Sequence, residues 1–198
     1  MNAKTVLHRF ILLLIPLAIS CNDPSLNFSG ITETNNIGEV IGHVDSSDWL
    51  LDERWSQNEL ALFPDIDKNA LNNDGKSVPE DFMSKVLGKG RVGLPAEYIG
   101  PAYPNPATTG VAVHVSIKES EDRAIVLVDK NFNVLVRMDN FYSVDLIFDP
   151  IIASAAFFQI PDESKVEVRA GATYRFYYYF KFSDSDYYLK GHGDILIK

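Results

Sequence analysis

The chain has 198 residues but only one cysteine, two tryptophans, three methionines and four histidines. With Cys21 as its sole cysteine it can form no internal disulfide, so packing must hold the fold even in an oxidising compartment. Positive charge is also scarce: 18 Lys and Arg stand against 27 Asp and Glu, for a net charge of -9. Such a surface lacks the cationic footprint that phosphate backbones require, so no nucleic acid partner is expected. It also argues against the chain lying flat on anionic lipid. The histidines are scattered and make no HExxH or similar zinc set, and no GxSxG is present. No catalytic set assembles, so neither an enzyme nor a cofactor is expected.

What is present is concentrated at the N-terminus. Lys4 and Arg9 precede an apolar run from Phe10 to Ile19, which is too short to span a bilayer and has the layout of a secretory signal. Leu17-Ala18-Ile19-Ser20-Cys21 closes it and resembles a bacterial lipobox, with Ala18 where leucine is commonest and a small Ser20 before the cysteine. The resemblance implies cleavage of residues 1–20 and acylation of Cys21, with palmitate-type chains tethering the protein to a membrane. Two or three acyl chains on one residue would make release negligible, whereas one binds reversibly. An ordinary signal followed by an incidental cysteine is the alternative. Losing Lys4 and Arg9 takes the charge from -9 to about -11.

Residues 21–45 are polar, with Pro, Gly, Ser and Asn, and read as a lipidated flexible tether. Residues 46–97 read as short helices and loops. Asp52 and Glu53 mark a helix start. Trp55, Leu60, Leu62 and Phe63 form an apolar face, Glu59 points outward and Pro64 is the stop. A second helix is expected over Pro79 to Leu87. From residue 98 the period changes to two. Val111, Val113, Val115 and Ile117 alternate with smaller or polar residues, and Ala124 to Val128 is a continuous apolar run. A turn at Asp129, Asn131 and Asn133 leads back through Val134 to Met138. Ala153 to Ile160, Val166 to Arg169, Tyr174 to Phe182 and Tyr187 to Ile197 complete about seven short strands, the last interrupted by Gly191-His192-Gly193. Residues 98–198 therefore predict an all-β, Ig-like β-sandwich.

Tyr103-Pro104-Asn105-Pro106 precedes the first strand. Val128-Asp129, Val134, Gly171, Tyr174 and the terminal Lys198 follow in order. This pattern over residues 101–198 resembles the Ig-like C-terminal sorting domains of Bacteroidota type IX secretion substrates, with Asn133 where their hairpin glycine stands. The chain as a whole is similar to a Bacteroidota envelope lipoprotein of uncharacterised function.

Three constellations invite chemistry. Asp65, Asp67, Asn69, Asn73 and Asp74 alternate oxygens as calcium loops do, but Ala70 and Lys76 occupy the places of the turn glycine and the bidentate glutamate, which favours a solvated acidic loop. Gly191-His192-Gly193-Asp194 sets a histidine beside a carboxylate, as a general base needs, although a glycine bulge reads better. On the aromatic strand, Tyr174, Phe176, Tyr178, Phe180 and Phe182 form an inward face. Arg175, Tyr177, Tyr179 and Lys181 form an outward one, available to a protein or glycan partner or else packed on Tyr187 or Tyr188.

The reading that follows is a lipoprotein of the cell envelope, held on the outer membrane by Cys21, on the periplasmic or the surface side. It has a non-catalytic binding or assembly role towards an envelope protein or glycan. The alternative is secretion cargo whose residues 101–198 are a sorting domain.

Overall fold

A computed structural model describes residues 25–77, 101–108, 110–113, 120–140, 144–149, 152–155, 168–182 and 186–198. Residues 1–20, Cys21 and the expected helix from Pro79 to Leu87 lie outside them, as do Val115, Ile117, residues 156–160 and Val166.

The fold is mostly β. Its strands are β1 (Leu50–Leu51), β2 (Gly110–Val113), β3 (Ser120–Val128), β4 (Val134–Asp139), β5 (Val144–Asp149), β6 (Ile152–Ala155), β7 (Thr173–Phe182) and β8 (Tyr188–Leu196). Two single-turn helices, α1 (Gln57–Leu60) and α2 (Lys68–Leu71), lie between β1 and β2. An antiparallel sheet runs β1-β8-β7-β3-β4, and a second runs β2-β5-β6.

Alternation places two different sets of side chains on the five-stranded sheet. One face carries Ile125, Leu127, Phe176, Tyr178, Phe180, Leu189 and Ile195, packed with Trp49 and with Val111 and Val113 of β2. The opposite face carries Ala124, Val126, Val128, Tyr177, Tyr179 and Tyr188, packed under Trp55, Leu60, Leu62, Phe63 and Leu71. The central strands are thus buried on both sides, which accounts for the unbroken apolar run at Ala124 to Val128.

This corrects the expectation of a one-sided aromatic strand. Arg175, Tyr177 and Tyr179 are buried, and Lys181 is half-buried. The cover comes from residues whose own pattern is only weakly helical. Helix α1 starts at Ser56, later than Asp52 and Glu53, because Ser56 and Glu59 form a reciprocal capping box. Ala61 caps its C-terminus, three residues before Pro64. Helix α2 was not anticipated. Asp67 caps it by accepting from the amides of Asn69 and Ala70.

Two further differences concern strands. Strand β5 was missed, and it pairs with both β2 and β6. Strand β8 pairs with β7 in unbroken register from Tyr188 to Leu196, so Gly191 and Gly193 form no bulge. They are glycines because neighbours press on them. A Cβ on Gly191 would collide with the carbonyl of Leu50 and with Tyr178, and one on Gly193 would collide with the Trp49 ring.

Residues 25–48 hold no named helix or strand, yet the stretch expected as a tether is bonded to distant parts of the chain. The Leu26 amide donates to the Lys130 carbonyl at 2.7 Å, and Thr34 pairs with Asn105.

Candidate functional site

The chemically richest part of the described chain is a polar seam where residues 28–59 meet β7 and β8. Its side chains come from alternate positions of the two strands. The register sets Arg175 opposite Asp194, Tyr177 opposite His192 and Tyr179 opposite Lys190.

Each group has a partner. The Arg175 guanidinium donates to both Asp194 oxygens, at 2.6 and 2.7 Å, and lies 5.4 Å from the Phe28 ring centre. Burial opposes its charge, but Asp194 holds it well above the usual arginine range. His192 Nδ1 lies 3.0 and 2.9 Å from the two Asp52 oxygens. Burial pulls its pKa down, yet the bond to Asp52 and that residue's charge raise it overall. Lys190 Nζ donates to the Glu53 carbonyl at 2.8 Å, and burial lowers its pKa. The hydroxyls of Tyr177 and Tyr179 donate to Glu59 at 3.0 Å and to Asp122 at 2.9 Å. Burial pushes both phenols up. Glu59, expected to point outward, therefore faces the sheet.

Asp48 sits at the centre of the seam. Its oxygens accept from the amides of Thr32, at 3.0 Å, and Asp194. Burial raises its pKa to about 6, and the neighbouring Asp194 adds to the rise. Asp45 behaves in the opposite way. The Ser29 hydroxyl and the Ser47 amide and hydroxyl bond to its oxygens and hold it at about 2.

Asn105 connects the seam to the Tyr103-Pro104-Asn105-Pro106 turn, in which both X-Pro bonds are cis. Its side-chain nitrogen donates to the carbonyls of Thr32 (3.0 Å) and Asp194 (2.8 Å), and its side-chain oxygen accepts from the Leu196 amide at 3.0 Å. The residue is fully buried. Sequence reasoning marked the turn but missed this role, although an asparagine between two prolines was the available signal.

The other constellations resolve as structure. In the acidic loop the oxygens diverge. Asp67 caps α2, Asp74 pairs with Arg54 at 2.6 Å, and Asn73 forms two bonds with the backbone of Tyr188. Among the described residues no group of His, Cys, Asp or Glu is placed to hold a metal ion. His192 pairs with Asp52 rather than with its sequence neighbour Asp194.

A cleft of about 570 Å³ opens beside the β3–β4 turn, between Leu26, Phe28, Lys130, Arg169 and Tyr174. Among the described residues no helix is long and apolar enough to cross a membrane. No protein-family model, curated protein or solved structure matches the chain.

Proposed function

We propose that the chain is a lipid-anchored protein of the bacterial cell envelope, tethered through Cys21 on the outer membrane, with a non-catalytic binding or assembly role. The observation that carries this reading is the lipobox-like Leu17-Ala18-Ile19-Ser20-Cys21 at the end of the apolar run. The sealing of the aromatic strand bears on which part of the chain is anchored. The polar face of that strand is spent on internal bonds, Arg175 to Asp194, Tyr177 to Glu59 and Tyr179 to Asp122. The described residues between Leu26 and Leu71 thereby pack and bond with described residues of β3, β7 and β8, starting only a few positions after the proposed anchor.

Within this proposal the two sheets are read as an Ig-like sandwich. Val111 and Val113 of the smaller sheet share a core with Phe176 and Tyr178 of the larger. That sharing is the support for facing layers.

The same sealing disfavours residues 101–198 as a detachable sorting domain. Asn105 and β8 bond to Thr32, Thr34 and Asp48, so removing either half would strip the other of partners. Any partner must use a surface other than Arg175, Tyr177 and Tyr179. An envelope protein or glycan remains the class proposed.

Cys21→Ser is the direct test. The variant is expected to leave the membrane fraction of cells and to lose crosslinks that the wild type forms to neighbouring envelope components. A variant that stays in the membrane with the same crosslinks would overturn the reading.

A further inference from the structure

Six large apolar side chains are exposed among the described residues, and four fall within residues 37–44: Ile37 (73 %), Val40 (44 %), Ile41 (66 %) and Val44 (56 %). They are presented by a formed hairpin. The Asn35 amide donates to the Glu39 carbonyl at 2.9 Å and the Ile41 amide to the Glu33 carbonyl at 3.0 Å. The Asn35 side-chain oxygen accepts from the amides of Ile37 and Glu39, each at 3.0 Å, which shapes the tip around Gly38 at a positive φ. The base of the hairpin is fixed where Thr34 pairs with Asn105. Four exposed apolar side chains on one hairpin of an acidic chain mark a contact surface.

We infer that this hairpin is a membrane-contact element, seating Ile37, Val40, Ile41 and Val44 at the headgroup–acyl boundary of a zwitterionic bilayer. The inference rests on the proposed anchoring at Cys21. Only four residue steps separate Cys21 from Ser25, where the described chain begins, a reach of at most about 14 Å. The segment starting at Ser25 is therefore confined near the lipid. The Ser29 hydroxyl then bonds to Asp45, at the far end of the hairpin. Charge narrows the choice of lipid. No Lys or Arg occurs between Ser25 and Glu53, while Glu33 and Glu39 flank the tip. Anionic headgroups would be repelled, and zwitterionic ones would not.

The test uses the acylated full-length protein in phosphatidylcholine vesicles, carrying Ile41→Cys or Ile37→Cys labelled with a nitroxide. Asn69→Cys, on the exposed side of α2, serves as the water-facing control. Acylation consumes the Cys21 thiol, so each chain should take one label. The inference expects the labels at 37 and 41 to collide with oxygen but to be shielded several-fold from an aqueous nickel chelate relative to the label at 69. Equal nickel access at all three sites would overturn it. So would shielding accompanied by spin coupling between labels, which would mean that a second copy covers the hairpin. Two labels per chain would show a free Cys21, which removes the anchoring reading and this inference with it.

Discussion

The indole of Trp49 lies directly over the Cα of Gly193, in contact so close that an added methyl would overlap the ring, at 2.6 Å from Cζ2. Trp49 reaches this place with φ at 61°, a conformation rare for a bulky residue, while its amide donates to the His192 carbonyl at 2.8 Å. Gly193→Ala should therefore cost about 1–3 kcal/mol through overpacking. The urea midpoint checks this, and a shift equivalent to less than about 0.5 kcal/mol, the range of an ordinary surface change, would mean that the ring sits elsewhere.

Both faces of β7 are core, so truncation on either side should be comparably severe. Phe176→Ala and Tyr177→Ala should each cost about 3–5 kcal/mol by chemical denaturation, since both side chains are fully buried. A large loss for Phe176 with less than about 1 kcal/mol for Tyr177 would restore a sheet with one open face.

The Arg175–Asp194 pair should show the asymmetry of buried ions. Asp194→Ala strands the guanidinium and should cost about 3–5 kcal/mol. Arg175→Met combined with Asp194→Leu should be more stable than that single variant, because no unpaired charge is left inside. A double variant as unstable as the single one would show that the stranded guanidinium is not the source of the loss.

Stability should fall as pH rises through neutrality, and His192 should be the reason. Its folded pKa is raised above 6.5, because the bond to Asp52 and its charge outweigh burial. The protonated ring therefore stabilises the fold below pH 6.5, and that contribution is lost as pH climbs through the raised value. Asp48 has the same sign lower down. Burial raises it to about 6, so its contribution is full below about 3.8 and gone once pH passes about 6. Denaturant midpoints at pH 6.5 and 8 should differ for the wild type, and this difference should shrink in His192→Asn. An unchanged difference would place the titrating group elsewhere.

How much of this was legible in the sequence depends on which residues had to speak for themselves. Strands β3, β4 and β7 were visible because runs such as Ala124 to Val128 and Tyr174 to Phe182 carry their own pattern. The Trp55, Leu60, Leu62 and Phe63 face was visible for the same reason, and all four are buried. What they cover was hidden. Tyr177 and Tyr179 look amphipathic and suited to a surface, and only the bonds to Glu59 and Asp122, 118 and 57 positions away, show them turned inward. The His192–Asp52 pair spans 140 positions and has no local signature. Residues 25–48 look like a linker because their bonding runs through side chains such as Asp48 and through Asn105, not through periodic apolar contacts. Glycine was misread for a similar reason. A local rule takes Gly191 and Gly193 as a bulge, whereas the cause is Trp49 and Leu50 arriving from far along the chain.

Anchoring of the chain at Cys21 is the central proposal for this protein. The most direct measurement is the intact mass of the protein extracted from membranes. It should equal residues 21–198 plus the mass of the acyl groups on Cys21. A mass showing an unmodified Cys21, or a chain lacking residues 101–198, would contradict it.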